Sequence, residues 1–234
     1  MKRQGTAATY LWCNWFCKGE MKVKRVKVVG LGGSLANQSS SLAALRIAVE
    51  GAREAGAETE VLDMRELKLP MYVPHAREIA DSVKELCESV YAADGLVWSS
   101  PLYHGTISGS FKNALDWLEL LSDRKPAYLT DKIVGLISTA GGTQGLQAVN
   151  TMEFVVRALR GWAVPLVIPI AKAWRVFDEE GHARDAKIDE QLRVLGREVA
   201  RAAKQFAARP LTTPDAQRVE AQIQPISDEE LSAS

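Results

Sequence analysis

Apolar positions along the chain fall into two patterns, short unbroken runs and longer stretches in which they recur every three or four residues. Val26–Leu31, with five apolar residues around Lys27, is close to the first kind and predicts a short buried strand. Leu42, Leu45, Val49 and Ala52 then keep helical spacing, with Gly56 marking the stop near Ala55. The same exchange repeats down the chain. Glu58–Asp63 predicts a second strand, and residues 64–78, broken by Pro70 and Pro74, an irregular connection. Ile79, Val83, Leu86 and Val90 predict a helix, and Gly95–Ser99 a third strand. Pro101 and Gly105 set a loop before the helical stripe Phe111, Leu115 and Leu118. Lys132–Thr139 predicts a fourth strand, and Leu146, Val149, Met152, Val156 and Leu159 a helix that stops near Gly161. A fifth strand, Val164–Ile168, leads through a connection tipped by Asp178, Glu179, Glu180 and Gly181. The long amphipathic helix marked by Ile188, Leu192, Leu195, Val199 and Phe206 ends the series. Strands alternating with helices argue an α/β fold, a doubly wound five-stranded parallel sheet with right-handed crossovers and strand order 2-1-3-4-5. Ligands of such sheets bind at the carboxyl ends of the strands, near the switch point between strands one and three.

Three loops leave the strands at that end. The first, in GLGGSLANQSSS, combines Gly30, Gly32 and Gly33, which permit tight turning, with the donors of Ser34, Asn37, Ser39, Ser40 and Ser41 at the start of a helix. Unpaired backbone N–H groups and the helix dipole favour an anion there, so a phosphomonoester is the first ligand to consider. The loop is neither a G-x-G-x-x-G dinucleotide loop, which fails at Leu35, nor a Walker A loop, which needs a lysine that Gly33-Ser34 lacks. A Ser-rich helix cap without a ligand is the competing reading.

Length and charge narrow the classes. The chain has 234 residues, enough for one α/β domain, and a formal net charge of zero without a basic stripe, which argues against nucleic acid and for small-molecule partners. Three cysteines, Cys13, Cys17 and Cys87, suit a reducing cytosol better than a disulfide framework. No apolar run is long enough to span a bilayer. Residues 1–20 carry an apolar patch that Asn14 interrupts, and no small-residue cleavage pattern follows it. They read as an extension ahead of a natural start at Met21 or as a flexible arm whose Trp12, Trp15 and Phe16 pack on a partner subunit. Cys13 and Cys17 lack a second pair, so no metal site is expected. Residues 21–207 form the domain, and 208–234, polar and proline-punctuated, a mobile tail.

The motif GSLANQSSS resembles the phosphate loop of the NADPH-dependent FMN reductase family, whose pattern is roughly G-S-x-R-x-x-S-x-N/S. Ala36 stands where many members carry the arginine. The stretch SSPLYHGTISGSFKNALDWLELL resembles a second family signature, matching at Pro101, Tyr103, Gly105, Ile107, Gly109, Lys112, Asn113, Ala114, Asp116 and Trp117. The resemblance implies a flavodoxin-like fold and makes Pro101, Leu102, Tyr103, His104 and Gly105 contacts to the ribityl chain and ring of FMN. Leu102 and His104 occupy positions that are often Glu and Asn. The third loop, by the same resemblance, lies at the pyrimidine side of the ring and offers Thr139, Ala140, Gly141, Gly142 and Gly145 as flavin contacts.

One ligand with a phosphate, a polyol and a flat ring suits all three loops. The resemblance implies FMN as cofactor and NADPH or NADH as co-substrate, with hydride passing to the flavin and then to a quinone, free flavin, azo compound or metal oxyanion by a ping-pong cycle. It also implies a homodimer or homotetramer, for which the apolar stretch Pro70–Val73 is the candidate contact unless it packs back on the sheet edge. No side chain is expected to act as a catalytic group, apart from His104 as a candidate proton donor whose competing role is a hydrogen bond to cofactor or backbone. Lys112 and Asp116 read as an ion pair along one helix, and Cys87 as a packing residue. A flavodoxin-type electron carrier and a non-catalytic flavin-binding regulatory protein remain as alternatives, the first disfavoured by the neutral charge.

Overall fold

Val28, Val29 and Leu31 are fully buried, so the first strand, β1 (Lys27–Gly32), lies inside the sheet with both faces covered. The structure, a computed structural model, describes residues 25–208. The N-terminal extension 1–20, with Cys13 and Cys17, and the tail beyond Ala208 lie outside the described residues. β1 pairs in parallel with β2 (Glu58–Asp63) on one side and β3 (Gly95–Tyr103) on the other. β5 (Ile133–Thr139) and β6 (Trp162–Ile170) extend the sheet, also in parallel, giving the order β2-β1-β3-β5-β6. This is the expected flavodoxin-like 2-1-3-4-5 path, with one two-residue strand, β4 (Thr106–Ile107), added antiparallel to β3.

Helices cover both faces. α1 (Ser40–Glu54) and α6 (Ala186–Ala207) enclose one apolar core with Val28, Val97, Ile133 and Ile137. α3 (Asp81–Ala92), α4 (Gly109–Trp117) and α5 (Leu146–Ala158) enclose the other with Val29, Leu96, Trp98 and Leu136. Alternate residues of each strand therefore serve opposite cores, as a pleated sheet buried on both faces requires. α1 and α6 cross at very short range. A Cβ on Gly196 would lie 1.7 Å from the Ala48 carbonyl oxygen, and one on Gly51 would lie 2.3 Å from that of Arg193.

Three local expectations are corrected. Residues 64–78 are not irregular throughout, because Met64–Leu67 forms a one-turn helix, α2, whose N-cap Asp63 accepts the Arg65 backbone N–H at 2.9 Å. β3 does not end at Ser99 but continues to Tyr103 and turns back through β4. β6 runs from Trp162 to Ile170, although Pro165 and Pro169 interrupt its sequence; it is an edge strand, where a missing N–H faces no partner. The stretch Pro70–Val73 divides. Its backbone is pinned to α4 by Asn113 Oδ1, which accepts from Tyr72 N at 2.7 Å, and by the Pro70 carbonyl, which accepts from Trp117 Nε1 at 2.9 Å. Tyr72 packs edge-on against Trp117, while Met71 stands 77% and Val73 56% exposed.

Candidate functional site

The first loop is built by the close approach of β1 to β3. A Cβ on Gly32 would lie 2.1 Å from the Ser99 carbonyl oxygen, which also accepts the Gly33 N–H at 3.1 Å, so a side chain at position 32 is excluded. Gly30 differs from the sequence expectation: it sits within β1, where the missing Cβ admits Val49 and Leu45 of α1. The chain then folds over the start of α1. Ser39 is the N-cap, its hydroxyl accepting from Leu42 N at 3.2 Å and from Ser34 N at 3.0 Å. Ser34 donates its own hydroxyl to Ser39 Oγ at 3.1 Å, and its oxygen accepts from Ala36 N at 3.3 Å. Ser34 and Ser39 thus line a small polar cradle at the positive end of a fifteen-residue helix. Asn37 is exposed at its rim, and Ser40 donates to the Ala173 carbonyl at 3.4 Å. Ser41 points the other way. It is 2% exposed and its hydroxyl lies 2.5 Å from Thr139 Oγ1, while its carbonyl accepts from Ser99 Oγ at 2.8 Å.

These buried contacts bring the three loops together. Ser41 and Thr139 tie the start of α1 to the end of β5, and Ser99 ties both to β3. In the second loop Pro101 is buried, Leu102 packs on the core, and Tyr103, His104 and Gly105 are exposed. His104 and Gly105 both have positive φ, 49° and 87°, and form the two-residue turn that joins β3 to β4. The hairpin is fastened to α5 by the hydroxyls of Thr106 and Thr151, 3.1 Å apart. In the third loop Ala140 is fixed by its N–H donating to Ile170 O at 2.8 Å. Gly141 has open space around it, Gly142 is exposed, and Gly145 caps α5 without a side-chain hydrogen bond.

Two elements join the site that the sequence analysis left out. Arg65, on α2, donates from Nη1 to Asn37 Oδ1 at 3.1 Å and brings a guanidinium to a loop that has no cation of its own. The capping pattern Asp63-x-x-Glu66 was the available signal for that helix. The connection after β6 also bends back over α1, forming a short 3-10 turn at Ala173–Arg175 and burying Phe177 in the α1–α6 core. Between that connection and α1 lies a cleft of about 480 Å³ that borders the first loop through Asn37, Ser39 and Ser40. None of the residues lining it belongs to the second or third loop.

Groups outside the site behave structurally. Burial pushes the Cys87 thiol up to about 11, and its Sγ donates to the Trp117 carbonyl at 3.5 Å, so it is a packing residue without thiolate character at neutral pH. Lys112 and Asp116 pair along α4, on its exposed side. No helix among the described residues is long and apolar enough to cross a membrane.

The residues present suit FMN. A hydroxyl-lined helix terminus can take a phosphate, the Pro101–Gly105 hairpin supplies backbone and an exposed tyrosine, and the open backbone at Gly141 leaves room for a flat ring. The chain is 31% identical over 177 residues to the NADPH-dependent FMN reductase ArsH of Shigella flexneri, a match spanning 75% of this chain and 68% of that protein. It is 35% identical over 154 residues to the FMN-dependent NADPH-azoreductase of Staphylococcus aureus, covering 64% and 79% of the two chains. The match to the ArsH protein of Acidithiobacillus ferrooxidans, 36% identical over 133 residues and 56% of this chain, spans only 54% of that relative's length. The fold is shared with the crystal structure of RosB, at a TM-score of 0.68 and 17% identity over 86% of this chain and 89% of that one. It is shared too with the NADH:FMN oxidoreductase EMOB in its apo form, at 0.60 and 16% over 76% and 89%. The family model of NADPH-dependent FMN reductases matches residues 26–175, the whole span from β1 to the turn beyond β6, and the chain belongs to that family, with FMN as cofactor and a reduced nicotinamide as co-substrate.

Proposed function

We propose that the chain is an oxidoreductase that takes hydride from NADPH or NADH and passes the two electrons to a small organic acceptor, a quinone or an azo compound, in a ping-pong cycle. FMN, when bound, supplies the two-electron chemistry, which oxidises the nicotinamide in one half of the cycle and reduces the acceptor, with uptake of protons, in the other. The observation that carries this reading is the tethering of three loops, at the carboxyl ends of β1, β3 and β5, through Ser41, Thr139 and Ser99. At that end Ser34, Asn37, Ser39 and Ser40 would hold the phosphate, and the backbone of Pro101–Gly105 would take the polyol. The third loop would take the ring, and the exposure of Gly141 and Gly142 would leave it accessible. An accessible ring would let the nicotinamide and the acceptor use one position in turn, as a ping-pong cycle requires. Water, rather than a dedicated side chain, supplies the protons at so exposed a site.

The test is anaerobic. The protein is reconstituted with FMN, freed of excess, and mixed with NADPH or NADH while the absorbance of the bound flavin is followed. Loss of the flavin absorbance, with its return on adding a quinone, is expected. Bound flavin that neither nicotinamide bleaches would make the chain a carrier or a regulatory flavoprotein, and the proposal would be withdrawn.

A further inference from the structure

The first loop offers a dianionic phosphate only neutral donors, and a buried acid lies beneath it. A Cβ on Gly33 would be 3.5 Å from Asp63 Oδ1, and Asp63 is 6% exposed. A carboxylate so close to the loop opposes the binding of a phosphate unless a cation offsets it. Arg65 is placed to do so. The carboxylate that caps α2 fixes the Arg65 backbone N–H at 2.9 Å, which starts the side chain from the loop's own border, and Nη1 reaches Asn37 Oδ1 at 3.1 Å. That contact uses one of the five N–H donors of a guanidinium. Arg53, Arg193 and Arg201 are each paired with carboxylates, whereas Arg65 forms no ion pair among the described residues. Its charge is therefore available to a ligand at the rim.

We propose that Arg65, reaching across from α2, is the phosphate-recognising cation of the flavin site and makes the chain select FMN over riboflavin. The proposal rests on the placement of the FMN phosphate at the start of α1. Asn37 holds the guanidinium beside the cradle, and the charge-assisted contact adds to the neutral donors of Ser34 and Ser39. The same cation screens the ligand from Asp63. Because Arg65 is exposed, its contribution falls as salt is raised.

Flavin binding, measured by fluorescence quenching with FMN and separately with riboflavin, tests this without turnover. In Arg65→Ala the FMN dissociation constant is expected to rise about tenfold while riboflavin affinity stays unchanged. Arg65→Lys is expected to fall between the two. The dependence of FMN affinity on salt is expected to be shallower in Arg65→Ala than in the wild type. Arg46→Ala, further along α1 and lining the cleft with Glu50, is expected to leave both affinities unchanged. Equal losses for FMN and riboflavin in Arg65→Ala, or no loss at all, would overturn the proposal, as would an equal effect of Arg46→Ala, which would make it a general surface-charge effect. A wild-type protein that binds both flavins equally well would overturn it while leaving a ring site in place. A wild type that binds neither would overturn the flavin placement as well.

Discussion

Ser39 serves two roles that pull in different directions. Its hydroxyl caps α1 through Leu42 N and at the same time joins Ser34 in the cradle, so replacing it changes both the helix and the site. Ser34 is not a cap, and its hydroxyl bonds stay within the loop. The pair can therefore be separated experimentally. Ser39→Ala is expected to lower stability by about 1 kcal/mol, the usual worth of a serine cap, and to weaken FMN binding. Ser34→Ala is expected to weaken FMN binding at the cost of two loop hydrogen bonds, leaving the cap of α1 in place. Denaturant midpoints beside flavin titrations of each variant check this; unchanged FMN affinity in both would place the phosphate elsewhere. Composition made these two serines legible, because hydroxyls ahead of an amphipathic stripe are a cap signal. It could not tell them from Ser41, two residues beyond Ser39, which is turned inward to Thr139 and binds the site's frame together. That distinction is one of helix phase, and a run of three serines gives no phase.

At the scale of elements, most of the sheet could be read because its strands are continuous apolar runs and its helices carry regular stripes. What escaped was short or locally contradictory. α2 has four residues, too few to show a helical period, and was visible only through Asp63 and Glu66. The sequence predicts β3 only as far as Ser99, because Pro101 reads as a breaker. In the structure Pro101 opposes Thr139 at the last rung of the ladder, where the loss of one N–H costs little. The hairpin beyond it assigns His104 a conformational part. At φ 49°, in a turn whose next residue has φ 87°, position 104 demands a residue that tolerates the left-handed region. His104→Asn keeps that tolerance and removes the titrating ring, whereas His104→Val is strained by about 1–2 kcal/mol. If His104 only shapes the turn, His104→Asn is expected to retain turnover and its pH profile, and His104→Val to lose FMN affinity. A pH limb that disappears in His104→Asn would instead establish it as the proton donor.

Across the whole molecule, the position of the first loop depends on a contact at the far side of α1. The helix that presents the cradle is pressed on α6, and their backbones meet where Gly196 faces Ala48 and Gly51 faces Arg193. Neither glycine looked informative in the sequence, since both lie inside helical stripes where glycine is disfavoured. The cost in helix propensity, about 1 kcal/mol each, is outweighed by the close approach it allows. Gly196→Ala makes this testable. Its methyl group would fall 1.7 Å from the Ala48 carbonyl oxygen and 2.7 Å from Ala52 N, both backbone atoms that no rotamer change can move aside. Relief requires α1 and α6 to separate, at an overpacking cost of about 3 kcal/mol or more, offset by about 1 kcal/mol of improved propensity. A net loss of about 2 kcal/mol is therefore expected in denaturant unfolding. The same displacement shifts Ser39 and Ser41 relative to Thr139, so FMN affinity is expected to fall more than riboflavin affinity. The cradle moves with α1, whereas the second loop is held by β3 and α5, and Ala140 of the third by β6. A variant as stable as the wild type would mean that the two helices slide freely. A variant destabilised but unaltered in its FMN preference would mean that the cradle is anchored by the sheet rather than by the helix pair.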